Sequence, residues 1–76
     1  MERTLDQLAI GEEAVVKKVQ GNSGLKRRIM DMGLTRGTKV TLRRVAPLGD
    51  PMELTLRNFQ LTLRKEDAKL VQVEGI

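Results

Sequence analysis

The stretch "MELTLRNFQLTLR", Met52 to Arg64, constrains the fold of this chain more than any other. Met52, Leu54 and Leu56 alternate with Glu53, Thr55 and Arg57; Phe59, Leu61 and Leu63 alternate with Gln60, Thr62 and Arg64. Successive side chains of a strand point to opposite faces, so this alternation buries one face and wets the other. The phase resets around Asn58, which predicts a β-hairpin with Asn58 near its turn. Glycine would be easier there, but asparagine tolerates a left-handed backbone. A lone hairpin is marginal in water, so the rest of the chain must supply strands and a core.

It does so in short pieces. "EEAVVKKVQG" reads as a strand whose apolar members are Val15, Val16 and Val19. Val16 and Val19 are three apart, which a bulge would reconcile. "TKVTLRRVA" is a second strand, and the step from Leu42 to Val45 calls for another bulge or a sharp bend. "LVQVE" is a final strand using Leu70 or Val71, and Val73. Between the first two strands, Asn22 or Ser23 caps a helix over about residues 24–33, with Leu25, Ile29 and Met32 along one stripe. Gly33 stands where a left-handed C-terminal cap belongs, with Leu34 packing back. Two to three turns are marginal alone, so packing must hold this helix.

Short helical turns are expected near 4–9, capped by Thr4, carrying Leu5 and Leu8 and ended by Gly11, and near 65–68 in "KEDAK". Gly37 supplies the flexible backbone of a "TRGT" turn. In the loop "PLGDP", Pro47 fixes φ and Pro51 lacks an N–H, so the loop is stiff at both ends, with Ala46 and Asp50 extended before the prolines. The expected fold is mainly β: one domain over 1–76, five short strands in a strongly bent barrel, and one inserted helix. Closure also protects sheet edges.

The chain begins with Met1 and is expected to be a complete small protein. At 76 residues it buries only about 60% of its unfolded surface, and with no cysteine it has no disulfide to help. No apolar run approaches the ~20 residues of a membrane span, and "MERTLDQLAIGEE" is no signal peptide, so a cytoplasmic location is expected.

Charge is uneven. Lys26 to Arg44 holds seven bases and one acid, Asp31, within a net charge of +4. Such a cluster suits an anionic partner (nucleic acid, a membrane surface or an acidic protein face) or is a solvated basic face with no dedicated partner. Phe59 is the only aromatic residue, so neither a base-stacking platform nor an aromatic proline-peptide groove can be built.

Catalysis finds little to work with. With no His or Cys, nucleophilic triads are excluded, and the acids are scattered, so no enzyme is expected. Iron, zinc and copper favour His, Cys or clustered carboxylates, so no metal site and no cofactor is expected. Met30 and Met32 cannot clip one ion, because residues two apart on a helix diverge by ~200°. Met32 joins the Leu25/Ile29 stripe as core filler; Met30 lies roughly 130° from the stripe's centre and faces out. One exposed apolar residue is ordinary on a protein surface; an exposed methionine ringed by bases could instead anchor a protein contact. The glycines match no phosphate-binding spacing.

The order of pieces is distinctive. Leu5, Leu8 and Gly11 lead to a strand; then come "RRIMDMGLTRGT", "RVAPLGDP", "LTLRKEDA" and "LVQVE". In this order and spacing they resemble the FeoA family, the small cytoplasmic accessory proteins of bacterial ferrous iron transport, along about the whole chain. The resemblance implies an SH3-like barrel with an inserted helix. It also implies a regulatory or assembly role through contact with FeoB, the membrane ferrous transporter that bears a cytoplasmic GTP-binding domain. Transition-metal binding is a family-level association for which these residues offer no evident site.

The family's helix pattern maps onto Arg27, Arg28, Ile29, Met30, Met32, Gly33 and Leu34, and its loop pattern onto Pro47, Leu48, Gly49, Asp50 and Pro51. Gly33, Gly37, Pro47, Gly49, Asp50 and Pro51 are read as structural; Arg27, Arg28, Met30 and Leu48 are the candidate partner-binding residues. Arg28 or Arg36 could also act as an arginine finger on the transporter's GTP site. Related domains terminate metal-dependent repressors resembling the DtxR family. A basic nucleic-acid-binding module or a stand-alone metalloregulator-type SH3-like module is therefore the alternative.

Overall fold

The hairpin forms as β4 (Met52–Thr55) and β5 (Gln60–Leu63), paired antiparallel with Met52 opposite Leu63 and Leu54 opposite Leu61. The computed structural model describes residues 3–76. Before the hairpin come β1 (Arg3–Thr4), a 3₁₀ turn (Leu5–Gln7), β2 (Glu13–Val19), α1 (Ser23–Asp31) and β3 (Lys39–Val45). After it come α2 (Lys65–Ala68) and β6 (Val71–Gly75). All strand pairs are antiparallel, in the order β1-β6-β2-β3-β4-β5.

The five expected strands are present, and a sixth joins them. Arg3 and Thr4 pair with Val73 and Gln72 at the edge of β6. The ladder register shifts between Val16 and Lys18, and again between Leu42 and Arg44. Bulges of this kind bend and twist a strand. The bent sheet rolls around one core, and the molecule measures 30 × 26 × 25 Å, nearly equal in all directions.

Leu5, Val16, Ile29, Leu34, Val40, Leu54, Val71 and Val73 are fully buried, and Leu25, Met32, Val45, Leu61 and Leu70 pack around them partly exposed. Two details of the hairpin depart from expectation. Among the described residues no non-glycine residue has a positive φ, so Asn58 turns the chain without the left-handed conformation. Phe59 lies before β5 rather than in it, and its side chain is 49% exposed.

The N-terminal strand is held by charge. Glu12 accepts from both terminal guanidinium nitrogens of Arg3, Nη1 and Nη2, and, through Oε1, from the Ala9 N–H at 2.9 Å. The Arg3 hydrogen bond first, and the Ala9 hydrogen bond second, hold the Glu12 carboxyl below its usual pKa, against an opposing effect of partial burial. A carboxyl depressed in the folded state stabilises it above its unfolded pKa, and that stabilisation is lost as pH falls through the folded pKa. Glu12→Gln should therefore lower stability at neutral pH and flatten the acid limb of a stability–pH curve measured by chemical denaturation. An unchanged acid limb would show that the pair does not tether β1.

Candidate functional site

Helix α1 is the element that carries most of the candidate residues. Asn22 caps it, its side-chain oxygen accepting from the Leu25 N–H at 2.9 Å. Ile29 is its one buried residue, flanked by the partly buried Leu25 and Met32. That narrow stripe leaves Lys26, Arg27, Arg28, Met30 and Asp31 outside. The helix ends at Asp31, two residues short of the expected bound: Met32 is its C-cap, and Gly33 follows as the expected left-handed residue at φ +108°, donating to the Met30 carbonyl at 3.0 Å.

The candidate partner residues do not form one patch. Met30, 36% exposed, lines a groove of about 450 Å³ with Lys18, Lys26, Arg36 and Gln72. Arg28 projects from the opposite flank of the helix, 3.5 Å from Asp67 of α2. Arg27 is exposed between these two flanks. Leu48 stands at the tip of the 46–51 loop and is 96% exposed. That loop is fixed locally: Gly49, at φ +88°, donates to the Ala46 carbonyl at 2.7 Å, and Ala46 donates to the Pro51 carbonyl at 3.0 Å. Pro47 and Pro51 are exposed on it, and the Asp50–Pro51 peptide is cis. Asp50 ties the loop to α2 by accepting from the Lys65 N–H at 2.9 Å.

A second groove, of about 730 Å³, was not anticipated. It lies between the 33–39 turn, which includes Gly37 at φ +89°, and the tip of the β4–β5 hairpin. Its walls include Leu56, Phe59, Arg36, Lys39 and Arg57. Phe59 rests on Gly33, where an added Cβ would come within 2.9 Å of the ring's Cζ and 3.2 Å of Leu56 Cδ2. Alternation placed Phe59 on the face of Leu63, but the covered face runs out along β5: Leu63 is 2% exposed, Leu61 partly buried and Phe59 half open.

Within the basic stretch, Lys39 pairs with Glu13 at 3.1 Å and Arg44 with Glu53. Among the described residues Lys26, Arg27, Arg36 and Arg43 make no ion pair. Also among them, no polar or charged side chain is buried, and no three His, Cys, Asp or Glu side chains converge. The donor set does not fit a transition-metal site. Among the described residues no helix is long and apolar enough to cross a membrane.

Residues 3–75 match the FeoA domain family. The chain belongs to the FeoA family. A curated relative is the Fe(2+) transport protein A/Fe(2+) transporter FeoB fusion protein of Porphyromonas gingivalis, 36% identical over 72 residues. The match covers 95% of this chain and 8% of that protein, so the chain spans a small part of the relative's length. The solution structure of a FeoA-like protein from Clostridium acetobutylicum is 39% identical and superposes with a TM-score of 0.91, covering 99% of this chain and 87% of that one. FeoA of Stenotrophomonas maltophilia, a prokaryotic SH3 domain protein crystallised with zinc, is 30% identical with a TM-score of 0.82, covering 95% of this chain and 89% of that one. The bent antiparallel sheet is thus the SH3-like FeoA fold, with α1 inserted between β2 and β3.

Proposed function

We propose that this FeoA-family chain is a non-catalytic accessory and regulatory protein of bacterial ferrous iron transport. It acts in the cytoplasm, by contact with the cytoplasmic GTP-binding region of a FeoB-type membrane transporter. The observation that carries this is the Porphyromonas gingivalis fusion, in which a segment like this chain shares one polypeptide with FeoB. Fusion raises the effective concentration of one module at the other to the mM range, an arrangement that helps modules that touch.

The exposed residues of α1 are the proposed contact, with Arg27, Arg28 and Met30 the named participants and Leu48 a second anchor on its stiff loop. Gly33, Gly37, Pro47, Gly49, Asp50 and Pro51 shape the turns that present them. Iron is the transporter's cargo here, and this chain supplies no ligand for it.

Reversing charge at both arginines, Arg27→Glu with Arg28→Glu, should lower ferrous iron uptake several-fold in cells that depend on this system. Stability should change little, because both side chains are exposed and the Arg28–Asp67 pair, with Arg28 63% exposed, is worth at most about 1 kcal/mol. Uptake at the wild-type rate, with the protein folded and expressed, removes these arginines from the contact.

A further inference from the structure

We propose that the groove containing Phe59, continued through Arg36 into the groove containing Met30, binds an extended acidic polypeptide segment that carries a large apolar side chain. The inference deepens the function proposed above by naming the chemistry of the partner segment, and it rests on that reading.

Three observations converge on it. The first is a prepared apolar anchor. Phe59 is the chain's only aromatic residue and is 49% exposed, yet it does not hang free. Its ring lies on the bare backbone of Gly33 and beside Leu56, which is 4% exposed. One side is packed and the other opens into the groove. An aromatic side chain held in place before a partner arrives loses little further freedom on binding.

The second is charge. The Phe59 groove is walled by Arg36, Lys39 and Arg57, against the single acid Glu13, which is already 3.1 Å from Lys39. Arg36 and Arg57 have no ion-pair partner among the described residues. The Met30 groove is lined by Lys17, Lys18, Lys26 and Arg36; Lys17 is already 3.2 Å from Glu74, and the other three have no ion-pair partner among the described residues. An acidic segment complements both halves, and opposite potentials steer association and suppress wrong partners.

The third is shape. Arg36 lines both grooves, so the Phe59 groove and the Met30 groove share one basic wall residue. A strand-like peptide presents alternate side chains to one face, which suits two apolar anchors and a shared base. Two neighbouring concavities, each with an apolar side chain in its lining, suit a polypeptide better than the plane of a bilayer.

The test uses the full chain and a fluorescent synthetic peptide in which glutamates flank a central leucine, read by anisotropy. The wild-type protein should bind it, more weakly as salt rises. Phe59→Ala, Arg36→Glu and leucine-to-serine in the peptide should each weaken binding about tenfold or more, the scale of an interface hot spot. Arg57→Glu is a second surface variant, expected to act in the same direction. No binding, equal binding of the leucine and serine peptides, or variants that bind like wild type would overturn the proposal. So would selective retention on phosphatidylglycerol vesicles without peptide binding, which would make the surface a lipid contact.

A parallel arm measures binding to a detergent-solubilised FeoB-type transporter. Transporter binding by wild type that is undiminished in Phe59→Ala and Arg36→Glu overturns the groove alone. No transporter binding by wild type overturns the proposed function, and the peptide arm then judges the groove by itself.

Discussion

Ile29→Ala is expected to destabilise the fold by about 2–5 kcal/mol, the cost of emptying a large buried aliphatic site. Ile29 is the only buried residue of α1 and is 0% exposed. A helix of nine residues lies below the length that holds itself together in water, so its docking depends on this side chain and its two half-buried neighbours. Domains have only about 5–15 kcal/mol in hand, and small ones sit low in that range. Met30→Ala, one residue along, should cost within about 0.5 kcal/mol, because a surface substitution leaves no cavity. Urea unfolding monitored by circular dichroism compares the two. Equal losses would show that the helix is not rotated as described, and that Met30 is not displayed to a partner.

Gly33→Ala has the second largest expected effect, because two costs add. The backbone at φ +108° strains any L side chain, by about 1–3 kcal/mol. The new methyl would also sit 2.9 Å from Phe59 Cζ, so the ring or the helix end must move. Gly37→Ala isolates the first cost, since Gly37 has φ +89° but nothing within 4 Å of the added carbon. Gly33→Ala should be the more destabilising of the two in the same denaturation experiment, and should shift the NMR signals of the Phe59 ring. If the two variants lose equal stability, Phe59 is not seated on Gly33.

Much of the scaffold was legible because its signals are local and periodic. The steps from Val16 to Val19 and from Leu42 to Val45 marked both bulges, since three-residue spacing cannot keep two side chains on one face of a flat strand. Asn22 and Ser23 both offered capping chemistry at the helix start, and Asn22 is the one that caps it. Strand β1 was hidden because two residues cannot display alternation; Arg3 and Thr4 are extended only because β6 lies beside them.

The site was read less completely, for a related reason. Helical angles placed Met30 outside, but Arg28 and Met30, two residues apart, diverge onto opposite flanks, so a list of exposed residues was not yet a surface. Phe59 was hidden by its own pattern. Alternation tells which face a residue shares but not where that face stops being covered, and the limit is set by Gly33 and Leu56 from other parts of the chain.

We propose above all that α1, mounted on the SH3-like sheet, is a docking surface for a FeoB-type transporter. The most direct measurement is the affinity of the purified chain for that transporter in detergent, with a bound guanine nucleotide, compared with the Arg27→Glu, Arg28→Glu double variant. The wild-type chain should bind saturably, and affinity should fall about tenfold or more in the folded variant, as loss of contact residues at an interface does. A wild-type chain that shows no binding, or a variant that binds equally well, would contradict it.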